Sequence, residues 1–236
     1  MKTRMILLLL LCSIAAALSA CGQSAQPTEA VSPIPEPQTS AAPVAESVET
    51  AAAPSVSDDK ILIVYFAVAE NSDVDAVSSA SVIMDGGEAK GMSKYIADII
   101  AERTGGELFS IRTEEKFPGQ YEPLADRAKE QQNNGELPPL TSHIENLGDY
   151  DVIFIGYPVW WYTLPQVMFS FFDEYDFAGK TIVPFATHYG SRDGGTFRTI
   201  AELEPDATVL QGIAVHQNDV ANYREDVLEW LGDLGW

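Results

Sequence analysis

Cysteine is all but absent from this chain: its two residues, Cys12 and Cys21, both fall within the first 21 positions. Everything beyond is therefore without disulfides, iron–sulfur clusters or thiolate metal sites. Histidine is nearly as scarce. His143, His188 and His216 stand far apart, with none of the HxxxH-type spacing that a metal site uses, so no metal is expected. Cations are in short supply too, 14 Lys and Arg against 35 Asp and Glu, for a formal net charge of -21. Setting aside Lys2 and Arg4 with the N-terminal segment leaves about -23, which argues against a nucleic-acid partner or an anionic membrane surface. No Gly-x-Gly-x-x-Gly follows any apolar run, so a dedicated dinucleotide fold is not indicated. No Ser/His/Asp or Cys/His set is placed to act on a substrate, and His188 reads as a loop residue rather than a general base.

The N-terminus carries Lys2 and Arg4, an apolar run at 5–11, and the small-residue ending Leu18-Ser19-Ala20-Cys21. This is the pattern of a secretory signal over 1–20, too short for a spanning helix, which needs ~20 apolar residues. The ending resembles a bacterial lipobox, which implies cleavage before Cys21 and lipid attachment to that cysteine. From 22 to about 58 the chain turns to Ala, Pro, Ser, Thr, Val, Gln and Glu, without Lys, Arg or any aromatic residue. Such a composition cannot bury enough apolar area to offset chain entropy, so 21–58 is expected to be a disordered leash with a reach of roughly 35 Å. The protein is accordingly expected outside the cytoplasm, anchored to the cell membrane through its N-terminal lipid, with 59–236 as one folded domain.

Within that domain apolar runs at 61–66, 108–111, 151–157, 180–186 and 208–215 predict five strands. Amphipathic stretches at 91–103, 164–175, 195–203 and 222–231, and a polar one at 123–132, predict the helices between and after them. The run from Asp151 to Tyr157 is nearly continuous in apolar character, the habit of a strand covered on both faces. Strands alternating with helices at this spacing predict an α/β, doubly wound parallel sheet.

In such a sheet ligands bind beyond the carboxyl ends of the strands. Three loops leave those ends. The first, 67–90, is long, polar and rich in Ser and Gly before a helix, as phosphate binding requires. The second holds Pro158, Val159, Trp160, Trp161 and Tyr162, which offer flat faces to a planar ligand, with one of the two tryptophans expected to pack inside. The third, Thr187, His188, Tyr189, Gly190 and Ser191, sets backbone amides and a tyrosine ring beside it.

The segments KILIVYF, MSKYIADIIAERTGGELFSI, YDVIFIGYPVWWYTLP and GKTIVPFATHYGS together resemble the flavodoxin family, over nearly all of 60–236. The resemblance implies a flavodoxin-like five-stranded sheet in the order 2-1-3-4-5, helices on both faces, and one noncovalent FMN at its carboxyl edge. It implies that the 158–162 loop flanks the flavin, with Trp160 or Trp161 as a stacking face, and that 187–191 covers the ring's other side. The phosphate loop departs from the family's Ser/Thr-x-Thr-Gly-x-Thr. Here Phe66-Ala67-Val68-Ala69-Glu70-Asn71 follows the strand, and an insertion delays the helix. Counting back from Tyr95 places Gly87, Glu88 and Ala89 at the family's Gly-Asn-Thr, losing a hydroxyl and gaining a carboxylate. Ser78, Ser79, Ser81 and Lys90 are the nearby replacements.

Two function classes follow. One is an FMN-binding redox protein, either an electron carrier or a reductase passing electrons to a quinone or a redox protein. The other is a flavodoxin-shaped binding protein without FMN, which uses the aromatic cleft for another planar ligand or a protein partner.

Overall fold

The computed structural model describes residues 59–72, 82–85, 88–219 and 222–236. The signal segment at 1–20, Cys21 and the leash lie outside them. In chain order the elements are β1 (Ile61–Tyr65), β2 (Val82–Asp85), β3 (Glu88–Gly91), α1 (Met92–Thr104), β4 (Glu107–Ser110) and α2 (Tyr121–Asn134). There follow β5 (Val152–Pro158), α3 (Gln166–Glu174), β6 (Thr181–His188), α4 (Thr196–Leu203), β7 (Thr208–Val209), β8 (Ile213–His216) and α5 (Tyr223–Asp233).

The main sheet runs β4-β1-β5-β6-β7, with β8 also on β6, and every pairing in it is parallel. This is the expected order 2-1-3-4-5, with the fifth strand in two pieces. All seven residues of β5 are buried, because helices cover both faces. Alternate strand residues feed two cores. Leu62, Val64, Ile153, Ile155 and Ile182 meet Leu124 of α2, Val167 and Phe171 of α3, and Ile200 of α4. Ile63, Tyr65, Phe154, Val183 and Phe185 meet Met92, Ile96 and Ile100 of α1 and Tyr223, Val227 and Leu231 of α5. The period-2 alternation of the strands thus sorts five helices onto two faces.

Two features differ from the sequence reading. The predicted fifth strand at 208–215 is broken: Thr181 and Ile182 pair with Thr208 and Val209, but Phe185 pairs with Ile213, so the outer strand gains one residue between the ladders. Pro184 lies in that gap on β6. Proline has no N–H to offer the neighbouring strand, and a bulge is where a sheet accommodates one. The loop expected to be irregular ends in an antiparallel hairpin, with Met84 opposite Ala89 and Asp85 opposite Glu88.

Packing leaves no room for a side chain at Gly156 of β5. Gly156 lies opposite Phe185 on β6, and a Cβ added at Gly156 would overlap the Phe185 ring. Gly156→Ala is therefore expected to destabilise the protein by about 1–3 kcal/mol, the usual cost of overpacking, as measured by urea unfolding.

Candidate functional site

The site begins with how the chain leaves β1. Phe66 and Val68 are fully buried, and a 3₁₀ turn at Val68–Glu70 carries the chain to Asn71. The buried Asn71 side chain then fastens the loop. Its Nδ2 donates to the carbonyls of Ala67 and Ile111, each at 3.0 Å, and its Oδ1 accepts the Thr113 N–H at 2.9 Å. Glu70 is held beside it by the hydroxyls of Tyr65 and Ser110 and by Arg112, whose guanidinium lies 3.3 Å from the carboxylate. The first loop is thus tied to the segment after β4, and its carboxylate is paired.

This fastening places two consecutive residues against two different parts of the site. The Phe66 ring meets Trp160 edge-on at 5.6 Å, and both meet Phe117 at the same spacing. Ala67 packs on Gly91, where an added Cβ would collide with the Ala67 side chain. Gly91 caps α1, and Ser93 is buried in the helix's first turn.

The glycine and hydroxyl at the helix start are therefore Gly91 and Ser93. Glu88 and Ala89, expected there from the sequence, stand on β3. The alignment back from Tyr95 reaches four residues beyond Gly91, because it assumes a loop where the structure has a strand running straight into the helix. Ser79, Ser81 and Gly87, together with Ser78, lie outside the described residues.

The second loop is a two-residue hairpin turn. The Trp160 N–H donates to the Thr163 carbonyl at 3.1 Å and the Thr163 N–H to the Trp160 carbonyl at 3.0 Å. The central residues Trp161 and Tyr162 both have positive φ, 49° and 60°. A type I′ turn demands this, and it favours Asn-Gly there because other side chains are strained by about 1–2 kcal/mol each. Two bulky aromatics occupy those positions instead.

Trp160 is the tryptophan that packs inward. Trp161 lies along α2, its Nε1 donating to the Ala125 carbonyl at 2.8 Å and its ring facing Lys129 Nζ at 5.1 Å. Tyr162 is 72% exposed.

Behind the turn opens a cleft of about 220 Å³, lined by Tyr121, Leu124, Ala125 and Ala128 of α2, by 159–162, and by Tyr189 and Ser191. Pro158 and Val159 are buried at the end of β5, the latter lining the cleft; the Val159 N–H donates to the Thr187 carbonyl at 2.8 Å. Thr187 and His188 are buried at the end of β6 and do not line the cleft, and Gly190 lies between the two residues of that loop that do.

The α2 wall escaped the sequence reading, which took 123–132 as a polar helix. The stripe Leu124, Ala125, Ala128 was its only sign. Arg127 holds this helix in place with Nε 2.6 Å from Glu115 and Nη2 2.7 Å from Glu136, whose carboxyl it lowers below the usual range.

Tyr157, on the inner side, donates to Thr196 at 3.0 Å and fixes the start of α4; burial pushes its phenol well above the ordinary value, so it stays neutral. Among the described residues no group of three His, Cys, Asp or Glu is arranged to hold a metal. The arrangement offers flat faces and backbone polar groups, which suit a planar ring.

A family model described as flavodoxin matches residues 81–234, well over half the chain. The chain belongs to the flavodoxin family. The match begins within the first loop, beyond β1 and the 66–71 segment in which this flavodoxin-like domain departs from the family pattern. No curated protein is similar enough in sequence to count as a relative.

Among solved structures, a protein from Bacteroides eggerthii DSM 20697 classed as a flavoprotein shares 25% identity at a TM-score of 0.57, over 76% of this chain and 99% of its own. One from Bacteroides uniformis ATCC 8492, classed likewise, shares 24% at 0.57, over 74% and 98%. A Lactobacillus acidophilus NCFM flavoprotein in complex with FMN shares 20% at 0.49, over 71% and 99%.

Replacing Trp161-Tyr162 by Asn-Gly is expected to relieve the turn and raise stability by about 1–2 kcal/mol in denaturant unfolding. The same change removes a wall of the cleft, so binding of a planar ligand, followed by fluorescence, is expected to be lost.

Proposed function

We propose that the protein is an FMN-dependent electron-transfer protein tethered to the outer face of a bacterial membrane. The observation that carries this reading is the link between ring cleft and helix start: Phe66 touches Trp160 while Ala67 touches Gly91. FMN is the cofactor that membership of the family implies, and it needs a flat site for its ring and a helix N-terminus for its phosphate, side by side.

The residues present fit both ends. Tyr189, Tyr162, Trp161 and Val159 would hold the ring. The first turn of α1, with the Ser93 hydroxyl, would hold the phosphate.

Bound FMN supplies reversible electron transfer. The chain's own residues bind and orient it, keep water from one ring face and set the surrounding charge. A domain this acidic favours a basic redox protein as partner or an uncharged acceptor such as a quinone. The signal-like residues 1–20 and Cys21 support lipid anchoring, with the leash holding the domain clear of the bilayer.

One observation favours the second reading, a cleft that takes another planar ligand or a protein partner without FMN. Ala67, Val68, Ala69 and Glu70 bring no hydroxyl to the phosphate side, and at the start of α1 it is Ser93, among the described residues, that has to replace what the family's Ser/Thr-rich loop supplies.

A titration with FMN separates the two readings. Submicromolar binding with quenched flavin fluorescence is expected, and no binding up to ~100 µM, weaker than about -5.5 kcal/mol, would refute the first. Ser93→Ala is expected to weaken FMN by about 1.5–3 kcal/mol through loss of a charge-assisted hydrogen bond, with riboflavin, which lacks the phosphate, unaffected. Cys21→Ser is expected to move the protein from the membrane to the soluble fraction, read by fractionation of expressing cells.

A further inference from the structure

His188 ends β6, directly beside His216 at the end of β8. Neither ring lines the cleft, yet both stand behind the loop that does. We propose that His188 is a positioning residue for the cleft: its neutral ring holds the 189–191 loop in place and releases it on protonation. The ligand side of this inference rests on the FMN reading; the loop side does not.

The geometry defines one protonation state. His188 Nδ1 accepts the Gly190 N–H at 3.1 Å. With Nδ1 accepting from Gly190, the neutral ring carries its proton on Nε2; the Ala214 backbone weakly favours the charged ring.

A second proton, on Nδ1, would face the Gly190 N–H donor to donor. Gly190 sits at φ 96°, in the left-handed region, so its amide direction belongs to a glycine backbone held from behind. Tyr189 precedes it, 60% exposed, its ring tilted on His216 at 5.9 Å. His216 lies edge-on to His188 at 5.1 Å and repeats the device, its Nδ1 accepting the Asn218 N–H at 3.1 Å.

The groups around the pair come from several elements. His216 belongs to β8, Asp219 to the turn after it, Arg192 to the loop after β6, and Tyr223 of α5 donates its hydroxyl to the His216 carbonyl. Burial foremost, then the neighbouring His216 and more weakly Arg192, push His188 below the ordinary histidine range, and Asp219 opposes them. An exposed histidine titrates near ~6.5. With the folded value depressed below that, the contribution of neutral His188 is complete above pH ~6.5 and is lost as pH falls through the folded value.

The test is an acid titration of ¹⁵N-labelled protein from pH 7.5 to 5.0, wild type against His188→Asn. Asparagine at this position can still accept the N–H two residues on, as in an Asx turn, but does not titrate.

In the wild type the Gly190 amide resonance is expected to follow the titration of the His188 ring; in H188N it should stay put. FMN affinity should be within about threefold between the two at pH 7.5. Below the His188 midpoint the wild-type Kd should rise by about tenfold per pH unit more than that of H188N, which retains the phosphate's own titration near pH ~6.

A Gly190 amide indifferent to His188 protonation overturns the proposal, as do identical pH slopes for the two proteins. Should FMN bind neither protein at any pH, the flavin reading falls, and the Gly190 resonance still decides the role of His188. If H188N does not fold, the wild-type resonance alone decides it.

Discussion

The site depends on one buried amide. Asn71 joins the loop after β1 to the segment after β4 through donors and acceptors that a folded core must satisfy, each bond worth about 0.5–1.5 kcal/mol net. The worth of these bonds lies less in that sum than in direction. With Asn71 anchored, the chain leaving β1 has one course, which lays Phe66 against Trp160 and Ala67 against Gly91. The ring cleft and the start of α1 are neighbours because those two side chains are neighbours in sequence. The start of the first loop, 66–72, is shaped by its own side chains, with Glu70 paired by Arg112, Tyr65 and Ser110.

Strain collects where ligand contact is proposed. Aromatic side chains at positive φ in the 160–163 turn run against the local preference for Asn-Gly, and the surrounding structure holds them there through the Trp161 bond to Ala125 and the contact with Lys129. Stability and ring binding pull on the same two residues in opposite directions. α2 takes part in this balance, since the Arg127 fork that steadies it also steadies the surface on which Trp161 lies.

The sheet was legible because each of its strands is an apolar run bounded by turn residues, and the helices because their apolar positions recur at helical spacing. The break in the fifth strand was not, since its cause, the missing N–H of Pro184, sits on the neighbouring strand. The β2–β3 hairpin had a readable signal in Asp85-Gly86-Gly87-Glu88, but glycines before a helix suit a phosphate loop equally well, and local sequence does not choose between them. Of the tryptophan pair, the sequence showed that one should pack inside; which one depended on Phe66 and Phe117, far away in the chain. The α2 wall was illegible for a similar reason: three small or apolar residues on a polar helix gain meaning only once Trp161 lies across them.

The two-piece outer strand has a consequence for motion. A single eight-residue ladder would open only with the sheet, whereas a ladder cut at Pro184 leaves β8 secured to β6 by the four residue pairs from Phe185–Ile213 to His188–His216. Backbone hydrogen bonds in so short a ladder can break as a group without the rest of the sheet noticing, which is how a cooperative sub-unit of low local stability is defined. β8 is such a segment, and His216, on which the Tyr189 ring leans, belongs to it. One wall of the cleft is built on the centre of the sheet; the other is backed by a short ladder at its edge.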